Sequence, residues 1–159
     1  MIDSPISPIS LALVMSNYPF KDPVIANRFA EGIIKAGMPG PPSAYLPAYK
    51  ENQLTGKEIK SLLFGSKITG FYLRGQYLDG WWIDFKENGD FTWQGVAPIS
   101  SDSGKSRIEG DFICTRFKYV TWGDEYCMAV FRNPNGTREG LDEYFRVGDY
   151  GFYPFSPMR

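Results

Sequence analysis

Of the side chains that do most chemistry in proteins, this chain of 159 residues has no histidine and two cysteines, Cys114 and Cys127. The missing histidine removes the usual base for a serine or cysteine nucleophile and the usual nitrogen ligand of zinc. What remains is carboxylate, lysine, tyrosine and arginine chemistry. The carboxylates are scattered, and no spacing pairs two of them as acid and base, so no catalytic residue is assigned. The run "SSDSGKS" at 100–106 lacks the G-x-x-x-x-G-K-[ST] spacing and the strand-to-helix setting of a phosphate loop. No cofactor and no metal are expected.

In "GDFICTRFKYVTWGDEYCMAV", residues 110–130, the cysteines stand symmetrically about positions 120 and 121. A hairpin with an even-numbered loop therefore places them directly opposite each other, at a spacing near what a disulfide accepts. Two thiols without histidine or further cysteines do not make an ordinary zinc site, and they are not a C-x-x-C redox motif. Cys114 and Cys127 are thus structural. They form either a reduced pair of small buried residues, favoured for an intracellular protein, or a disulfide staple.

The elements that position these residues fall into a helical lead-in over 1–65, with a proline-rich linker, and an antiparallel β-domain over 66–159. In "KDPVIANRFAEGIIKAGMPGPP" Asp22 can cap a helix, Pro23 suits its first turn and Gly37 can end it. Its apolar stripe includes Ile25, Phe29 and Ile33, which must bury against something. "GMPGPPSAYLPAY" reads as an extended linker. A second helix follows in "LTGKEIKSLLFG", where Thr55 and Glu58 make a capping box and Gly65 a stop.

Strands are expected near 67–73, 80–86, 90–96, 105–117, 125–133 and 141–153. The turn "ENGD" tests the register of the first clear hairpin. A two-residue Asn88-Gly89 loop scatters the apolar residues over both faces. A three-residue loop ending in a left-handed Gly89 pairs Phe85 with Phe91 and Ile83 with Trp93, so that Trp81, Ile83, Phe85, Phe91 and Trp93 share one face. That face implies the inside of a curled sheet, an antiparallel meander forming a small lipocalin-like barrel or sandwich. Alternation is expected to turn Asp84 and Arg146 to the outer, solvated face.

Lysine and arginine number 17 against 18 acids, which leaves no field of one sign to hold nucleic acid or an anionic membrane. No run of about 18 apolar residues occurs, and "SPISLALVMSNYPF" lacks the basic start of a secretion signal. A soluble, cytoplasmic protein is expected. Aromatic residues make up 16% of the chain, enough either to pack a β-core or to line a cavity.

The runs "YPFKDPVIANRFAEGIIKAGMP", "ENQLTGKEIKSLLFG", the pair Trp81-Trp82, "GKSRIEGDFIC", "EYCMAVFRNPNGT" and "DEYFRVGDYGFYPFSP" together resemble the C-terminal region of a group of bacterial class III adenylate/guanylate cyclase-like proteins. The resemblance runs from about residue 11 nearly to the end. It implies an accessory module without the catalytic domain, since this tail carries no catalytic residues to transfer, and a cyclase or helical-repeat protein as partner. Three function classes follow, in falling order of preference. The first is a non-catalytic regulatory or interaction module docking through Ile25, Phe29 and Ile33. The second is a barrel that binds a small apolar ligand against Trp81, Ile83, Phe85, Phe91 and Trp93. The third is an enzyme using carboxylate, tyrosine or lysine chemistry.

Overall fold

The structure is a computed structural model, and it describes residues 23–37, 50–74, 77–95, 101–134, 136–148 and 151–158. Helix α1 spans Pro23–Lys35 and helix α2 Gly56–Leu63. Eight strands follow: β1 Lys67–Arg74, β2 Tyr77–Phe85, β3 Asp90–Gln94, β4 Ser101–Glu109, β5 Phe112–Phe117, β6 Glu125–Arg132, β7 Tyr144–Gly148 and β8 Gly151–Met158. Each pairs antiparallel with its neighbours in sequence, and β1 pairs with β8 to close the barrel. Closure leaves no unpaired sheet edge among these strands, and eight strands enclose a space that side chains can fill or one small molecule can occupy. The expected cap Asp22 and the proline-rich stretch from 38 to 49 lie outside the described residues.

The glycine-ended turn sets the register as expected. Gly89 is left-handed, with φ +87°, and Lys86 N–H donates to Asp90 O at 2.7 Å. Phe85 therefore pairs with Phe91 and Ile83 with Trp93. Trp81, Ile83, Phe85 and Phe91 are buried together on the inner face, and Trp93 is half-buried beside them.

Two expected strands are in fact hairpins. The stretch 105–117 breaks into β4 and β5 at Gly110-Asp111, where Glu109 pairs with Phe112 and Gly110 has φ +56°. A positive φ at the first of two loop residues suits the tight turn that matches strand twist. The stretch 141–153 likewise divides into β7 and β8, with Gly148 opposite Gly151. In 141–153 the run is apolar on both faces, so alternation does not mark where the strand stops. In 105–117 alternation resumes after the two-residue turn, and the run reads as one long strand.

Helix α2 plugs one end of the barrel. Its capping box is formed, with Thr55 N–H donating to Glu58 Oε2 at 2.9 Å. These hydrogen bonds, first the one from the Thr55 backbone, hold the Glu58 carboxyl below its ordinary range. The Gly56 N–H, an amide with no partner inside its own helix, donates to Asp111 Oδ1 at 2.8 Å and ties the helix start to the β4–β5 turn. Ile59 and Leu63 are then fully buried against Ile68, Phe85, Ile113 and Val130.

Candidate functional site

The opposite end of the barrel interior is not filled. A cavity of about 220 Å³ lies there. Its wall begins with Trp81 and Ile83 of β2 and Trp93 of β3, three of the five residues expected to line a ligand cavity. Phe85 and Phe91 do not reach it. They share the inner face but sit nearer α2, where Phe64 stacks on Phe85 at 6.3 Å. The pairing explains the division: toward the Glu87-Asn88-Gly89 turn the β2–β3 hairpin lies under the helix, and away from that turn it lines the hollow.

The rest of the wall comes from residues that sequence reasoning did not assign: Phe117 of β5, Tyr126 and Met128 of β6, Arg146 of β7, Tyr153 of β8, and Val120 and Thr121 of the β5–β6 connection. Ring contacts join the two groups. Phe117 lies edge-on to Phe91 at 4.9 Å and to Trp93 at 6.0 Å, and it stacks with Tyr126 at 6.2 Å. Gly70 permits Trp81 to sit where it does, since a Cβ there would lie 2.4 Å from the indole and 2.3 Å from Pro154 O.

Arg146 corrects the expectation of a solvated outer face. It pairs with Val130 on one side and Tyr153 on the other, which places it on the inner face. It is only 6% exposed. Its guanidinium lies 4.9 Å from the Trp81 ring and 5.9 Å from each of Tyr153 and Phe155. Alternation misleads here because the outward residues of β7, Phe145 and Val147, are buried as well. Two covered faces give no sign of which points inward. Asp84 does turn outward, half-exposed and 3.1 Å from Lys86 Nζ.

The electrostatics of Arg146 are unusual. Among the described residues no carboxylate comes within ion-pair distance of it, and its Nε is buried without a hydrogen-bond partner. Burial depresses its pKa from the ordinary arginine value, and the neighbouring Tyr126 and Tyr153 act in the opposite direction. Burial likewise pushes the Tyr153 phenol up.

The rim is held by a buried carboxylate. Asp102 Oδ2 accepts from Tyr119 N–H at 3.0 Å and Val120 N–H at 2.8 Å, and its Oδ1 accepts from Ser103 N–H at 2.7 Å. Beyond that anchor Thr121, Trp122 and Gly123 all have left-handed backbone, with φ 55°, 57° and 77°. This conformation is uncommon for threonine and tryptophan and leaves Trp122 97% exposed.

The cysteines lie on the outer wall, away from this cavity. Cys114 pairs with Cys127 in register, their Cα atoms are 3.9 Å apart, and the two are joined as a disulfide. The reduced pair favoured from sequence is therefore replaced by the staple. Glu109 stands beside both sulfurs, but it is ion-paired with Arg107, which also donates to Glu125 Oε1 at 2.7 Å. That hydrogen bond holds the Glu125 carboxyl below its usual range. Both sulfurs are used in the disulfide, and this group is read as structural.

The docking stripe on α1 is divided in exposure. Ile25 is exposed, as is Val24 beside it, and Phe29 and Ile33 are half-buried. Comparison with protein families, with curated proteins and with solved structures finds no match for this chain.

Proposed function

We propose that the protein binds a small, largely apolar molecule inside the barrel. The observation that supports this reading is the asymmetry of the interior. One end is covered by α2 over the buried Ile59, Leu63 and Phe85, while the other holds a hollow of about 220 Å³ walled by Trp81, Ile83, Trp93, Phe117 and Met128. Protein interiors pack densely, so an unfilled space surrounded by large rings costs stability unless something occupies it. An apolar cavity of about 150 Å³ already holds a benzene-sized molecule. A thermal-shift screen of small aromatic and aliphatic compounds, neutral and charged, tests the reading. An occupant raises the midpoint by mass action, and a flat response across the panel would remove it.

A second reading, an accessory module that docks on a cyclase or helical-repeat protein, is favoured by the exposed Val24 and Ile25 of α1. Binding to a purified cyclase-domain protein, lost in Ile25→Asp, is the result this reading requires. Under both readings the chain is non-catalytic. As to its place of work, a cross-strand disulfide favours an oxidising compartment over the cytoplasm expected from sequence.

A further inference from the structure

Taking the ligand-binding reading as its basis, we infer that the occupant is a small monocarboxylate with an apolar body, its carboxylate set against the guanidinium of Arg146. A guanidinium removed from water loses strong hydration, and proteins retain such a group where a partner restores what was lost. Here no acid of the described residues does so, and Nε is left without a hydrogen-bond partner. Trp81, Tyr153 and Phe155 present their rings to the guanidinium. Ring faces attract the cation and fix its plane, but they accept none of its in-plane N–H donors. A planar carboxylate matches that fork with two parallel hydrogen bonds.

Charge and size narrow the class. Among the described residues Arg146 is the only charged one in the cavity wall. A monoanion therefore neutralises the site, whereas a dianionic phosphate would leave a net charge in apolar surroundings, and a cation would be repelled. Scaled from benzene in about 150 Å³, the hollow of about 220 Å³ takes roughly nine non-hydrogen atoms. That is the size of an aromatic or branched acid carrying one carboxylate, and too small for a long-chain acid to enter whole.

Benzoate and benzamide have the same heavy-atom count and outline but differ in charge, so they separate the charge inference from the cavity itself. Each is titrated into the full chain by calorimetry, in the wild type and in Arg146→Met. The inference expects wild type to prefer benzoate by at least about tenfold, the scale of a charge-assisted hydrogen bond, and Arg146→Met to bind benzamide with that preference gone. Equal affinities in wild type, or a benzoate preference that survives in Arg146→Met, would overturn the inference and leave the ligand-binding reading standing. No binding of either compound would overturn both. Should Arg146→Met fail to fold, the Nε–H resonance of arginine in the wild type decides. It must shift with benzoate and stay in place with benzamide, and the absence of a benzoate-specific shift refutes the contact.

Discussion

At the scale of the residue, Arg146 sets a function against stability. Each of its ring contacts, with Trp81, Tyr153 and Phe155, contributes about 2 kcal/mol when desolvated. Burying an unpaired charge costs several kcal/mol even after the protein relaxes. The rings accept none of its in-plane N–H donors and Nε is left without a partner, so the empty protein is expected to carry a net penalty at this position. Arg146→Met, which keeps most of the volume and removes the charge, is expected to stabilise the ligand-free protein by on the order of 1–3 kcal/mol in urea unfolding. A loss of stability instead would mean that the guanidinium has a structural partner. The same substitution is expected to remove the benzoate preference, so stability and binding move in opposite directions, as they do where a site retains strain for its ligand.

At the scale of the element, the β2–β3 hairpin joins the two halves of the interior and lets them be compared within one turn. Phe85 is 1% exposed under α2, in contact with Phe64 and Phe91. Trp93 is half-buried at the edge of a space already empty. Phe85→Ala removes contacts on all sides and should cost on the order of 3–5 kcal/mol. Trp93→Ala enlarges an existing hollow and loses less, about 1–2 kcal/mol from its area term, while weakening any ligand that fills the hollow. Parallel urea denaturation of the two variants checks the order, and equal losses would show that both ends are packed alike. This hairpin was also the part most legible in sequence. Asn88-Gly89 and five large apolar residues leave one register that buries them all, and Thr55 with Glu58 fixes the start of α2 just as directly. The strands from 141 onward were not legible, because "EYFRVGDYGF" places apolar residues on both faces and gives alternation nothing to sort. Arg146 was missed for that reason. Its signal was a single cation between Phe145 and Val147, in a run where neither face reads as solvated. The candidate site was therefore half readable: the β2–β3 aromatics follow from local rules, whereas the cation that faces them comes from β7, far along the chain.

At the scale of the whole molecule, the closed barrel separates what holds the chain together from what the cavity does. The disulfide between Cys114 and Cys127 spans 13 positions on the outer wall, across the loop whose residues Val120 and Thr121 form the cavity rim. A cross-link of that length acts mainly by removing freedom from the unfolded chain, about 3 kcal/mol in the loop-closure treatment. In the folded state the closed ladder of strands already fixes the same backbone, with Arg116 opposite Glu125 and Thr115 opposite Tyr126 beyond the disulfide pair. The Asp102 carboxylate holds the start of the connection independently, through the N–H groups of Tyr119 and Val120. The double substitution Cys114→Ala with Cys127→Ala is therefore expected to lower unfolding free energy by about 2–4 kcal/mol while leaving the benzoate-to-benzamide ratio unchanged. Urea unfolding measured beside the two calorimetric titrations tests both halves at once. A changed ratio at unchanged stability would show that the outer staple shapes the interior, and that the wall and the cavity are a single unit.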